Sequence, residues 1–450
     1  NTGRRTQLSD TNNWDPRLGI AYSLNDKTVI RSGFGIFHHP LVPNTDLSLG
    51  FSRTTSSLVA QPDGVTPLFN LSNPLPGGFV PATGNSLGLL TQVGLGINGP
   101  VRQQRLPYQV QWSFDVQRQL PWQWVVDIGY AGSAGVALPS GVQYNQIPDS
   151  ALALGTALNA TVPNPFFGVI TDSTSTLSRA TIQRGQLLRP FPHFTGTSAS
   201  QAPVGHSTYH GMQLKVERRF SSGLALLFSY TFSKLIDNTG DFGGFLGAGG
   251  FTNNNCFSCD RSLSFQHVPH VARFSYRYEL PFGISRKYFN SGVAAKVLGG
   301  WSIAGFLSLE SGSPLVLAGP NDSNSFGGGQ RPDATGTPAR LDGGPTYEDG
   351  TLYFNPAAFR RAPQFTFGTA SRTVPDVLSP GLMNWDALIE KRFSITERWA
   401  LDFRTELYNA VNQVVFAGPQ MNVTSGDFGR IRLNQVNTPR QIQFGLRLSF

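Results

Sequence analysis

From Ile442 to Phe450 every even-numbered residue is apolar and every odd-numbered one is polar or glycine, in the run Arg440-Gln441-Ile442-Gln443-Phe444-Gly445-Leu446-Arg447-Leu448-Ser449-Phe450. Successive side chains of a strand point to opposite faces, so this segment forms one apolar and one wet face. The same period recurs along the chain. Tyr108, Val110, Trp112, Phe114 and Val116 oppose Gln109, Gln111, Ser113, Asp115 and Gln117. Phe274, Tyr276, Tyr278 and Leu280 oppose Arg273, Ser275, Arg277 and Glu279, and Trp399, Leu401, Phe403 and Leu407 oppose Asp402, Arg404 and Glu406. The pattern predicts eleven strands, near 15–24, 27–37, 107–119, 122–132, 207–220, 223–234, 268–280, 299–312, 384–394, 399–411 and 440–450. Only 384–394 is uneven, because Leu388 and Lys391 fall on the wrong faces.

Most of these segments are about twice as long as the usual soluble strand of five or six residues, and long enough to cross a bilayer when tilted. Their connections alternate. Short turns (25–26, 120–121, 221–222, 395–398 and the longer 281–298) take turns with long segments rich in Gly, Pro, Ser and Asn (38–106, 133–206, 235–267, 313–383 and 412–439). That alternation is expected of an all-β, antiparallel transmembrane barrel, and five unstructured loops of this size are foreign to a soluble domain. With Phe450 on the periplasmic side, every long loop is extracellular. Trp122, Trp124, Trp301 and Trp399 then fall at the periplasmic starts of ascending strands, where an aromatic girdle belongs.

Composition agrees. Charged residues make up 14% of the 450, against roughly 25% in soluble domains, and no run of eighteen apolar residues exists to form a spanning helix. A mean hydropathy of −0.16 does not argue against a barrel, since only alternate residues meet lipid. The formal charge of +8 is spread over isolated Lys and Arg, which suits a polar lumen or a lipid rim and not nucleic acid. The first residues, Asn1-Thr2-Gly3-Arg4-Arg5, do not form an export signal. Eleven strands is odd, where bacterial single-chain barrels are even. The expectation is therefore a lead-in at 1–14 from upstream barrel, followed at 15–450 by the C-terminal half of a barrel of about 22 strands.

Several stretches resemble the barrel of TonB-dependent outer-membrane receptors of the Oar-like type found in Acidobacteria. They are Asn13-Trp14-Asp15-Pro16-Arg17-Leu18-Gly19-Ile20-Ala21-Tyr22, Val29–Phe37, Val162-Pro163-Asn164-Pro165-Phe166-Phe167-Gly168, and Leu187-Leu188-Arg189-Pro190-Phe191-Pro192. The hairpin from Tyr209 to Lys234, Tyr278-Glu279-Leu280-Pro281-Phe282-Gly283, Glu406-Leu407-Tyr408-Asn409 and the last strand complete the set. The resemblance implies an upstream carboxypeptidase-regulatory-like domain and a plug, and through the plug a TonB complex as partner. It also implies the lipid bilayer of a Gram-negative-type outer membrane and the barrel-assembly machinery, with Phe444, Leu446, Leu448 and Phe450 as the assembly signal. It names no ligand.

Motifs with chemical potential each meet a plainer reading. Gly94-Leu95-Gly96-Ile97-Asn98-Gly99 matches a dinucleotide string, but Pro100 and a strand follow in place of the required helix. Cys256 and Cys259 suit a disulfide in an oxidising exterior; a metal site with His267 and His270, or free thiols, are the other readings. His206 and His210 stand about 13 Å apart if extended, too far to share a metal. His38-His39 reads as a rim pair. Asp322-Ser323-Asn324-Ser325-Phe326-Gly327 opens like a calcium loop but lacks a ligand at Phe326 and a closing Glu. Asp386 with Glu390, and Asp402 with Glu406, share strand faces beside Arg392 and Arg404, which suits a salt-bridge ladder better than a catalytic pair.

The expected function is therefore not enzymatic and needs no cofactor. It is energy-coupled uptake of a scarce, bulky ligand captured by the long loops, with a passive porin or a barrel-mounted adhesin as rivals. Loop aromatics, among them Phe166, Phe167, Phe191, Tyr353 and Phe354, are the natural ligand contacts.

Overall fold

The computed structural model describes all residues except 1–6, 42–48, 56–64, 71, 74, 77, 240–250, 285, 318, 320–329 and 397. Asp322–Gly327 thus lies outside the described residues. The chain divides into two compact units, one of residues 1–8, 42–104 and 141–202, the other of 9–41, 105–140 and 203–450.

Eleven long strands form one sheet in which each is hydrogen-bonded to its neighbour in sequence. They are β1 (Arg17–Asn25), β2 (Thr28–His38), β3 (Tyr108–Leu120), β4 (Trp124–Gln143), β5 (Gly196–Ser221) and β6 (Leu224–Asp237). They continue as β7 (His270–Glu279), β8 (Trp301–Glu310), β9 (Leu382–Ser394), β10 (Ala400–Tyr408) and β11 (Gln441–Ser449). The registers are antiparallel. Two short strands join at the side, Gly96–Asn98 on β5 and Ser262–Leu263 on β6. No helix among the described residues is long and apolar enough to cross a membrane.

The period-two pattern becomes a face because the register keeps apolar residues in line. Leu401 stands opposite Leu448, Phe403 opposite Leu446, and Leu407 opposite Ile442. Phe444 and Leu446 are 68% and 70% exposed, as an outward, lipid-facing row requires. The largest departures from the expected boundaries are β4 and β5, which run 20 and 26 residues. The β4 extension contains Ser133, Ala134 and Gly135 and the β5 extension Gly196, Ser198, Ala199 and Ser200, small residues that carry no alternation to read. In the other direction, β10 stops at Tyr408 because Asn409 takes a φ of 49°. The turn expected at 120–121 spans Pro121–Gln123, and Trp122 sits in it with a φ of 58° and 81% exposed. Trp124, Trp301 and Trp399 lie at short-turn ends of β4, β8 and β10, while Trp14, Trp112 and Trp385 lie toward the long-loop ends. Seven tryptophans thus make two belts.

Lys391, the misfit of β9, lies in the lipid-facing row opposite Trp301 and Phe403. It is nonetheless only 2% exposed. Its Nζ turns to the short helix α1 (Gly292–Leu298) and donates to the carbonyls of Lys296 and Val297, each at 2.9 Å, and of Gly299. A helix C-terminus leaves carbonyls unpaired and carries partial negative charge, so a lysine there is satisfied where lipid could not satisfy it.

At the end of the chain Phe450 is 89% exposed and stacks on Trp399 with ring centroids 5.1 Å apart. One stacked pair contributes on the order of 1 kcal/mol, too little to decide the fold of a sheet this size. With Phe450 as an assembly signal, its deletion is expected to cut the amount of assembled, heat-modifiable protein in the outer membrane severalfold while leaving the thermal stability of the molecules that do assemble nearly unchanged. Normal assembly with lowered stability would refute that division of roles.

Candidate functional site

The face opposite the lipid row is charged and paired. Arg31 stands opposite Asp115 on β3, 3.3 Å away, and also donates to Gln117 at 2.9 Å. Arg277 reaches Glu390 at 3.1 Å, Arg392 reaches Asp402 at 3.8 Å, and Arg404 reaches Glu406 at 3.5 Å. Glu390 faces Arg404 and Arg392 faces Asp402 directly across β9 and β10. The four carboxylates singled out in the sequence thus lie on this wall, three of them in a ladder with arginines. Asp386 instead accepts the Asn409 backbone N–H at 2.9 Å. Such half-exposed pairs contribute roughly 0–1 kcal/mol each, so their effect is on the character of the wall more than on stability.

An apolar patch interrupts this wall. Glu217, Leu227, Ser275, Phe306 and Asp386 follow one another in register across β5 to β9. They line a groove of 820 Å³ together with Arg277, Leu388, Glu406 and Tyr408. Leu227 is 41% and Phe306 43% exposed there, on the polar side of the sheet. The groove can hold an apolar group ringed by hydrogen-bonding carboxylates and a guanidinium. Leu388 was legible as a misfit. Leu227 and Phe306 were hidden inside the doublets Leu226-Leu227 and Phe306-Leu307, the only signal that both faces turn apolar at once.

The later long loops build a core of their own. Leu315, Tyr353, Phe354, Val374, Phe428 and Ile431 pack together with Leu317 and Val377. Phe354 is fully buried, and Tyr353 is 3% exposed with its hydroxyl donating to the Leu378 carbonyl at 2.8 Å. Both rings are spent on packing the loop and present almost no surface to solvent. Within the other compact unit, Phe166 packs against Ile170, Leu177 and Ile182, whereas Phe167 and Phe191 are 59% and 42% exposed. There the Asn145 side chain holds the Phe191 turn, donating to the Phe191 and Phe194 carbonyls at 2.9 Å each.

Cys256 and Cys259 form a disulfide. The histidines are engaged separately. His210 meets the Tyr130 hydroxyl at 2.7 Å, His270 the Tyr230 hydroxyl at 2.8 Å, and His38 the Asp15 carboxylate at 2.7 Å. His267 is 5% exposed and accepts the Leu235 backbone N–H through Nδ1 at 3.3 Å. Among the described residues no three His, Cys, Asp or Glu side chains come together as a metal site. The glycine string at 94–99 enters the short strand Gly96–Asn98, which pairs with Gly196–Ser198, so no helix start meets it.

Two partly buried arginines join the disulfide loop to residues 330–378. Arg372 donates to the Asp237 carboxylate and carbonyl and to the Asp260 carbonyl, and Arg331 lies 2.7 Å from the Asp260 carboxylate. Burial pushes the Arg331 guanidinium down from its ordinary value, and the neighbouring Asp260 pulls it back up.

Comparison with known proteins matches residues 1–443 to a family model described as an outer membrane beta barrel domain. No curated protein matches the chain. Among solved structures, the outer membrane transporter YddB from Escherichia coli is similar at 9% identity and a TM-score of 0.41, covering 94% of this chain and 38% of that one. The ferric-catecholate import receptor Fiu from E. coli K12 is similar at 11% identity and a TM-score of 0.39, covering 97% and 34%. The ferripyoverdine receptor of Pseudomonas aeruginosa is similar at 9% and 0.38, covering 97% and 32%. The chain spans about a third of the length of these structures.

Two outcomes test the loop network. Arg372→Met should weaken local closure of 251–267 and 330–378 by about 3 kcal/mol in hydrogen exchange, because it leaves the buried Asp237 carboxylate without its cation. Adding Asp237→Asn should recover part of that loss; a double variant as loose as the single one would refute the pairing. His267 is held below its ordinary value by burial first, then by Lys234 and His270. A histidine kept neutral contributes stability that is whole above the unfolded value of 6.5 and is lost as pH falls below it. Protease cleavage in 251–267 should therefore rise between pH 7.5 and pH 5 (about neutral to endosomal acidity) and lose that pH dependence in His267→Gln.

The matched family model, the eleven-stranded sheet and its lipid-facing row lead to one assignment: the chain belongs to the outer membrane beta barrel domain family and resides in the outer membrane of a Gram-negative-type bacterium.

Proposed function

We propose that this chain is wall and loops of a TonB-dependent receptor of the Oar-like type, taking up a scarce, bulky ligand through energy-coupled opening of a plugged lumen. One observation carries the reading. In an antiparallel sheet of eleven sequential strands, β1 and β11 are the edges and run in the same direction. Antiparallel closure of such a wall takes an odd number of further strands, because lipid leaves no edge unpaired. Twenty-two, the number associated with plugged transporters, is among the totals this parity allows. The polar wall and the self-packed loops support the reading too: the first suits a filled lumen and the second a shaped surface for capture. Within that reading Phe167 and Phe191 are the ligand-contact aromatics to test first, since both are exposed.

The test uses cells carrying the full-length protein, offered a panel of labelled bulky solutes, together with the purified protein in planar bilayers. Uptake should stop when the proton gradient is collapsed, conductance should stay small, and Phe167→Ala with Phe191→Ala should reduce capture about tenfold with folding intact. Large steady conductance with gradient-independent uptake would make it a passive porin. Surface adhesion without uptake would make it a mounted adhesin. Either result overturns the proposal.

A further inference from the structure

The connector 281–298 is the longest on the short-turn side, and its geometry is built. Gly283 N–H donates to the Tyr288 carbonyl at 3.1 Å, and Tyr288 N–H to the Pro281 carbonyl at 3.0 Å. Gly283 adopts a φ of 107°, and a Cβ there would stand 2.6 Å from Gly299 Cα, so the two ends of the connector close backbone to backbone. Arg286 is bonded to Glu279 at 2.6 Å.

Where α1 lies follows from what holds it. Lys391 and Trp301 both belong to the lipid-facing row, and both reach the end of α1. Lys391 donates to three of its carbonyls, and the Trp301 indole N–H donates to the Val297 carbonyl at 3.0 Å. The Lys391 ammonium also sits 5.4 Å from the Trp301 ring and 5.0 Å from the Phe393 ring. The α1 end of the connector is thus folded outward, against the lipid side of the wall at its aromatic belt, while Arg286 nearer its start is held by Glu279 of the polar face. Among its exposed residues are four apolar ones: Ile284 is 71% exposed, Val293 77%, Val297 59% and Phe289 54%. Val293 and Val297 are four residues apart and share a helix face. Lys287 and Lys296 stand beside them, exposed.

We propose that the connector 281–298 is an interfacial anchor that seats Val293, Val297, Ile284 and Phe289 in the acyl boundary of the leaflet on the short-turn side, with Lys287 and Lys296 at phospholipid phosphates. Two features select lipid as the occupant. The exposed surface is continuous with the lipid-facing row through Lys391 and Trp301, and its exposed ammonium groups, Lys287 over the Tyr288 ring and Lys296, are complementary to anionic headgroups. The anchor fixes the height of the wall at β7 and β8, much as tryptophan belts do elsewhere on the sheet.

The test labels Val293→Cys and, separately, Val297→Cys with an environment-sensitive fluorophore in the full chain; Cys256 and Cys259 are joined and do not react without reductant. Each variant is folded into phosphatidylethanolamine–phosphatidylglycerol vesicles, with heat-modifiable mobility verifying the fold. Asp26→Cys, in another short turn, is the aqueous control. Both positions should emit blue-shifted light, be quenched by nitroxide-bearing lipid, and resist iodide about fivefold better than the control. Lys391→Met should bring iodide quenching at position 297 about halfway to the control as α1 loses its tether. Iodide quenching equal to the control at both positions, or protection from both quenchers as under a protein partner, overturns the proposal.

Discussion

Hydrocarbon offers no hydrogen bonds, so each backbone N–H and C=O in the membrane must find its partner within the protein. A sheet meets that demand only between strands, and this single condition orders the rest of the molecule. It sets strand length by membrane thickness and keeps connections out of the apolar layer unless, like α1, they satisfy their own backbone. It also makes side-chain chemistry strictly a matter of parity, since the pleat sends neighbours to opposite solvents. Phe403 and Leu446 face lipid for the same reason that Arg404 and Glu406 face the polar side.

Parity is a strong rule, and its exceptions are informative because each has to be satisfied locally. Lys391 occupies a lipid-side position, where an unpaired ammonium would be costly. It is tolerated because the wall supplies three helix-end carbonyls at that point. Leu227, Phe306 and Leu388 are the reverse exception, apolar groups on the polar wall, and they coincide in one groove instead of being scattered. One misfit recruits a helix, and the other three define a surface.

How much of this was legible depended on whether parity was at work. Strand number, order and the paired carboxylates of β9 and β10 were readable, because alternation survives wherever two different solvents flank the chain. Legibility failed where both sides are alike. The extensions of β4 and β5 are rich in small residues such as Ala134 and Ser198, with no preference to display. In the doublets Leu226-Leu227 and Phe306-Leu307 both faces are apolar, so the second residue reads as noise. Trp122 is expected on a strand since its neighbours alternate, yet the turn expected at 120–121 runs on through Trp122 to Gln123.

Long loops obey a different physics, and that explains Tyr353 and Phe354. Outside the membrane a loop of dozens of residues must offset its own conformational entropy, and it does so by burying aromatic area. Phe354 and Phe428 meet edge to face with centroids 5.3 Å apart, while Arg372 ties a neighbouring loop to the same structure through buried carboxylate and carbonyl contacts. An aromatic count therefore measures how well a loop is built before it measures what the loop binds. The residues free to recognise something are those the loop could not use, which directs attention away from the most aromatic segment and toward exposed rings such as Phe167 and Phe191.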